Sequence, residues 1–341
     1  MMLTSGFGPL LSLALAVSSP EATLQAPTKA SPAFDLQAHR GGRALWPENT
    51  LEAFAGALTL GVSTLELDCA VTKDGVVVVS HDPLLNPDIT RDANGKFLEA
   101  HGPSFFSLTW AEIARYDVGR IKPGSPYAAQ FPEQKGADGV RIPRLADVFA
   151  LVKKSGNTNV RFNIETKITP DKPAETLPPE AFAEAIVRVV REAKMEARVA
   201  IQSFDWRTLA VVKKRAPEIE TVALTVQRPN GGNVRVGAPG PSPSLGGLDV
   251  DDFGGSVPKA VKAIGAQVWS PNLGDLVAAT QVEEAHALGL KVIPWTVNES
   301  ADMEKFIDLK VDGIITDRPD RLREVMKKKG MTLPAATPVQ P

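Results

Sequence analysis

Eight times over, between residues 36 and 328, the chain passes from a short β-branched or apolar run to a longer amphipathic segment. This strict alternation limits its possible folds more than any other feature. The runs are LQAHR (36–40), TLELD (64–68), NVRFNIETK (159–167), RVAIQSF (198–204), TVALTV (221–226), AQVWSPN (266–272), KVIPWTV (291–297) and DGIITDRP (312–319). Helical patterns follow them, from NTLEAFAGALTLG to PDRLREVMKKKG. Asn49, with Glu52 three residues on, reads as the first helix N-cap, and Gly61 as its stop. Strand and helix units in this order predict an α/β protein, a TIM-type (β/α)8 barrel over residues 33–328. Periodicity alone leaves an open doubly wound sheet as the alternative. With 43% hydrophobic residues and one cysteine, Cys69, the fold must rest on a core, without an internal disulfide. The balance of 38 basic against 40 acidic residues argues against a nucleic-acid partner.

Four stretches fall outside the alternation. Residues 83–142 carry Pro, Gly, Asn and Asp with one short helical pattern, and read as an insertion between strand units 2 and 3, packed over one end of the barrel. Residues 227–257 are Gly/Pro-rich and read as a mobile rim loop. The tail, 329–341, reads as disordered. Near the start, PLLSLALAV (9–17) is too short to span a bilayer, which takes about 20 apolar residues. It fits a signal peptide over residues 1–26 and hence an exported, periplasmic or secreted protein, with a cytoplasmic location as the alternative. No cysteine ends the run, so no stable membrane anchor is expected.

The chemistry gathers around LELDCAVTKDGVVVVSHD (65–82). Asp74-Gly75 between β-branched residues signals a hairpin. As a two-residue turn it would place Val71 opposite Val78 and Asp68 opposite His81, with Glu66 on the face of Asp68. His39 and Arg40 close the first strand, and Glu165 and Lys167 close the third. All of these groups then lie at C-terminal strand ends, where barrels build their active sites. Glu66, Asp68 and Glu165 make a hard oxygen site suited to Ca²⁺ or Mg²⁺ rather than zinc. Two histidines can give and take protons near neutral pH, while Arg40 and Lys167 offer positive charge to a phosphate. Together the groups point to phosphodiester cleavage.

The series HRGGRALWPENTLEAF, ELDCAVTKDGVVVVSHD, NIETK, PWTVN and DGIITDRPD, running from about residue 36 to 325, resembles the glycerophosphodiester phosphodiesterase family. The resemblance implies hydrolysis of a small glycerophosphodiester to glycerol 3-phosphate and an alcohol, with one bound divalent cation, Ca²⁺ or Mg²⁺. Carried over, His39 and His81 are the acid/base pair, and Glu66, Asp68 and Glu165 are the metal ligands. Arg40 contacts phosphate, Lys167 contacts substrate, and Trp295 lines the site wall. Cys69 stands where an aliphatic residue is more usual, and Thr166 where an apolar one is common. The alternatives are a phospholipase D-type barrel acting on lysophospholipids and a non-catalytic phosphate-binding module. His101 and His286 read as surface histidines, and Glu48 as favourable helix-end electrostatics or a group hydrogen-bonded to the first loop. The oligomeric state has no signature in the sequence.

Overall fold

Among the described residues, nine strands and ten α-helices realise the alternation. The computed structural model describes residues 1–3, 34–168, 170–228, 232–238 and 240–341. The expected signal peptide lies almost wholly outside the described residues. The strands are β1 (Asp35–Ala38), β2 (Thr64–Val71), β3 (Val77–Val79), β4 (Arg161–Thr166), β5 (Val199–Ser203), β6 (Glu220–Thr225), β7 (Val268–Pro271), β8 (Lys291–Val292) and β9 (Gly313–Thr316). Eight of them form a parallel sheet in the order β8-β7-β6-β5-β4-β2-β1-β9, with β3 attached to β2. Between β8 and β9 the ladder is open, but three backbone bonds join the edges: Asp312 N to Val292 O at 2.9 Å, Ile315 N to Pro294 O and Val297 N to Ile315 O, both at 3.0 Å. The result is a nearly closed barrel, as the alternation predicts.

The helices are α1 (Leu51–Leu60), α2 (Trp110–Ile113), α3 (Pro126–Gln130), α4 (Leu145–Lys154), α5 (Pro179–Ala193), α6 (Trp206–Arg215), α7 (Val257–Ala263), α8 (Ala279–Ala287), α9 (Ser300–Asp308) and α10 (Pro319–Lys328). Each expected pattern became one of them, and α2 and α3 belong to the insertion. Their apolar stripes and the outward faces of the strands make one core, in which Phe54, Phe149, Phe162, Phe182, Trp206 and Cys69 are buried. Among the described residues, no helix is long and apolar enough to cross a membrane.

Four expectations change. The hairpin register is one residue off: Cys69 pairs with Val79 and Val71 with Val77, so Ser80, not His81, meets Asp68. Asp-Gly ends a three-residue loop (73–75), with Gly75 at φ 79°, instead of forming a two-residue turn. The cap of α1 is Thr50, whose Oγ1 accepts from Ala53 N at 3.2 Å, which frees Asn49 for another role. The rim segment 227–257 buries Val234, Leu245 and Val250 in the core instead of standing free. The last residues, expected to be without structure, are anchored: Thr337 N donates to Leu58 O at 2.8 Å, and Val339 packs on the core.

The insertion has a small core of its own. Leu85, Phe105, Ile113, Val118, Val140 and Ile142 close over Ala70 and Val78 of the hairpin. Lys73 N donates to Leu108 O at 2.8 Å, pinning the hairpin tip to the insertion. The chain after β3 is thereby held at the barrel mouth.

Candidate active site

The first strand ends in a tight loop with consecutive left-handed residues, Arg40 (φ 51°), Gly41 (φ 81°) and Gly42 (φ 95°). Only glycine fits at 41, because a Cβ there would stand 2.7 Å from that of Ala53. The turn aims the Arg40 backbone N–H at Glu66, 2.8 Å from Oε2. It also carries the Arg40 guanidinium between two buried acids, with Nη1 2.7 Å from Glu48 Oε1 and Nε 3.3 Å from Asp68 Oδ2. Glu48 therefore does bond to the first loop, and the phenol of Tyr127 in α3 donates to its other oxygen.

Glu66 and Asp68 are successive inward residues of β2, and the parallel register sets Glu165 of β4 beside Asp68. Ligand oxygens from all three lie within 4.8 Å of one another, and all three side chains are buried. Burial and the neighbouring Asp68 charge push Glu66 well above the usual carboxylate range. Burial and Asp68 likewise raise Glu165 to about 7, against the pull of Lys167, whose Nζ is 2.7 Å from Oε1. Burial opposes ionisation of Asp68 too, but Arg40, His81 and Lys167 together hold it well below its usual value. Three carboxylates this close cannot all be charged at neutral pH with only two cations among them. The group is short of positive charge. Asp68 Oδ1 is also buried without a hydrogen-bond partner among the described residues. Both observations fit a divalent cation with oxygen ligands.

The two histidines reach the same cavity by different routes. His39 donates Nδ1 to Asp317 Oδ1 at 2.6 Å, leaving Nε2 4.0 Å from Glu66. Arg43 Nε and Asn298 Nδ2 bond the same Asp317 carboxylate at 2.7 and 2.8 Å, so that group is fixed from three sides. Burial, opposed by Asp317, lowers the His39 pKa. His81 lies just beyond β3, with Nδ1 2.9 Å from Asp82 Oδ1, and Asn86 holds the other Asp82 oxygen at 2.7 Å. Burial, then Arg40 and Lys167, lower it to about 4. The register slip would have turned His81 to the wrong face had the strand continued. The chain leaves β-pairing after Ser80, so the ring returns to the mouth.

The cavity measures about 110 Å³. His39, His81, Arg40, Lys167, Glu66, Glu165 and Trp295 all border it, and Asp68 stands behind them. Phe204, Leu224, Trp295 and Ile315 are the apolar part of its lining, with the Phe204 and Trp295 rings edge to face and Lys167 Nζ 5.7 Å over the Phe204 ring. His101 is exposed, and His286 pairs with Asp312 away from the mouth, so neither takes part.

Several contributors escaped the sequence reading. Asn49 clasps Asp68 at both its side chain (3.0 Å) and its backbone N–H (3.3 Å). Gln202 donates to Glu66 Oε1 at 2.6 Å. Asp317 had a visible signal, being an acid just past the apolar strand β9. Asp82 had one too, directly after His81.

Residues 39–321 match the model of the glycerophosphoryl diester phosphodiesterase family. A glycerophosphodiester phosphodiesterase of Caldanaerobacter subterraneus subsp. tengcongensis is 32% identical over 296 residues, spanning 86% of this chain and 98% of that one. A Silicibacter pomeroyi protein assigned as a glycerophosphoryl diester phosphodiesterase superposes with a TM-score of 0.77 at 35% identity, covering 88% and 95% of the two chains. An Oleispira antarctica phosphodiesterase, solved with the product sn-glycerol-3-phosphate, shares the fold with a TM-score of 0.62 at 19% identity, over 86% and 96%.

Proposed function

The chain belongs to the glycerophosphoryl diester phosphodiesterase family, and we propose that its barrel mouth cleaves glycerophosphodiesters to glycerol 3-phosphate and an alcohol by two-histidine, cation-assisted catalysis. Membership makes it a glycerophosphodiester phosphodiesterase; the roles of its residues are the proposal. One observation carries those roles. Both imidazoles open on one small cavity, each held by a carboxylate on Nδ1 with Nε2 left for substrate.

Glu66, Asp68 and Glu165 would hold the divalent cation, Ca²⁺ or Mg²⁺. When bound, it supplies charge that offsets the negative charge growing on the phosphoryl oxygens. Arg40 and Lys167 face the same phosphate. Arg40 is kept rigid by Glu48, and Lys167 by Glu165. One histidine takes the proton of the nucleophile, a water or the glycerol 2-hydroxyl, as the new O–P bond forms. The other, as an imidazolium, gives a proton to the leaving alkoxide as its O–P bond breaks. Attack by the hydroxyl leaves a cyclic phosphate, which water then opens to glycerol 3-phosphate. Asp317 and Asp82 stabilise the imidazolium in each case and fix its tautomer. Phe204, Leu224 and Trp295 form the apolar wall against which the carbon skeleton of the substrate lies.

Release of glycerol 3-phosphate from glycerophosphocholine, with and without EDTA, tests this reading. The expected result is turnover that EDTA abolishes and added Ca²⁺ or Mg²⁺ restores. Turnover indifferent to EDTA overturns the cation assignment. Release only from an acylated substrate would instead mark a lysophospholipid enzyme.

A further inference from the structure

Below the three carboxylates, one side of the barrel lumen is filled by amides. Gln202 Nε2 donates to Glu66 Oε1 at 2.6 Å. Asn163 Nδ2 donates to the Gln202 carbonyl at 2.8 Å and to the Gln37 carbonyl at 2.9 Å. Gln37 Nε2 donates to Asp35 Oδ2 at 2.9 Å, and Asp35 Oδ1 accepts from Thr64 at 2.6 Å. All of these side chains are buried. A single file of hydrogen bonds thus runs from a carboxylate at the floor to a carboxylate at the mouth.

The polarity of this file is set by its amides. Gln202 and Gln37 each turn the NH₂ outward to a carboxylate oxygen and the carbonyl inward to Asn163. The central residue must then donate twice. Asn163 does so with the two hydrogens of one NH₂, leaving its own Oδ1 buried without a partner among the described residues. Native structures rarely leave such a group unpaired. An arrangement that does so only to point two amides in opposite directions suggests that the pointing matters. At the mouth, it gives Glu66 one N–H on each oxygen: Gln202 on Oε1 and the Arg40 backbone on Oε2. The carboxylate is locked in orientation, and its remaining lone pairs are left for a cation.

We propose that Gln202, oriented by Asn163, is a positioning residue that presets Glu66 for cation binding. The inference rests on reading Glu66, Asp68 and Glu165 as the cation site. Outer partners of metal ligands typically contribute 10–100-fold in affinity.

The pseudo-symmetry of the file supplies the control. Gln37 and Gln202 are both buried amides bonded to Asn163, but only Gln202 touches a ligand. The purified chain, stripped with EDTA, is titrated by calorimetry with Ca²⁺ and separately with Mg²⁺, and its cation-free Tm is recorded. Gln202→Met and Gln37→Met are both expected to lower that Tm. Gln202→Met should weaken the cation about 10–100-fold, whereas Gln37→Met should stay within about threefold of the parent. Asn163→Asp, which replaces the double donor by an acceptor, should follow Gln202→Met. Should Gln202→Met fail to fold, Gln202→Asn, with the amide withdrawn by one methylene, should still weaken the cation several-fold. Equal losses in the two glutamine variants, or unchanged affinity without Gln202, overturn the inference. A parent chain that takes up neither cation overturns the metal site itself, which is a different result.

Discussion

The barrel lumen has two unlike halves. Along β1, β2, β4 and β5 the buried lumen side chains are Asp35, Gln37, Thr64, Glu66, Asn163 and Gln202, joined by hydrogen bonds. Along β6 to β9 they are Val222, Val268, the neighbouring Ile293 and Ile315, packed with Ala200 as a separate apolar cluster under Trp295. The first half is directional: each group has a donor or acceptor that must find its partner, so moving one moves the next. The second half is held chiefly by contact, with Ser270 Oγ donating to Ile293 O at 2.6 Å and Trp295 Nε1 to Ser270 O at 3.0 Å, and its apolar members can repack around a change of shape. The two histidines and the three carboxylates crown the first half, while Leu224, Trp295 and Ile315 crown the second and Phe204, just past β5, stands between them. On the proposed mechanism, polar geometry fixes the reacting atoms and apolar packing shapes the room beside them.

The sharpest way to break this division is to remove an imidazole. His39→Ala and His81→Ala should each cut kcat by about 10²–10⁴ while leaving the circular dichroism spectrum intact. Normal turnover in either variant would take that histidine out of the reaction. A smaller loss, about 10–10³-fold in kcat with KM little changed, is expected for Asp317→Asn, because an amide can neither fix the His39 tautomer nor stabilise its cation. If KM rises instead and kcat holds, Asp317 serves substrate binding through Arg43, which shares its carboxylate.

Next in size is an effect of pH on stability. The pKa of His81 falls from 6.5 to about 4 on folding, first through burial and then through Arg40 and Lys167. Between those values the unfolded chain binds a proton that the folded chain refuses, so stability is full above pH 6.5 and falls as pH drops toward 4. About a third of the side chain faces solvent, which screens the effect to on the order of 1 kcal/mol. Urea unfolding of the parent and of His81→Leu across that window should show the steeper acid loss in the parent. Parallel slopes would mean that His81 titrates normally.

The two halves were not equally legible. Strands and helices could be read because period and capping are local, and the carboxylates because Glu66, Asp68 and Glu165 interrupt otherwise apolar strands. Partnership across the barrel could not be read. Asp317 meets His39 across 278 positions, and Gln202 looks like an ordinary residue of RVAIQSF until β5 is set near β2. The hairpin register was missed because Asp-Gly suits both a two-residue turn and the end of a three-residue loop, and the choice was settled by contacts with the insertion. Asn49 was assigned to the helix because its neighbour Thr50 could cap equally well, which left the asparagine free to hold Asp68.

The smallest expected effect belongs to the apolar half. Ile315 sits in the lumen cluster under Trp295 and borders the cavity, but no hydrogen bond runs through its side chain. Ile315→Val removes one buried methylene's worth of contact and should cost about 0.5–1.5 kcal/mol in urea unfolding. The loss has no direction, so neighbours can settle into the gap without rotating His39 or Glu66, and kcat/KM should stay within about twofold. The result matters because Ile315 is one residue from Thr316 and two from Asp317. If thinning its side chain lowered kcat/KM tenfold or more with so small a loss of stability, β9 would be transmitting apolar packing to the His39 dyad, and the separation between the two halves would not hold.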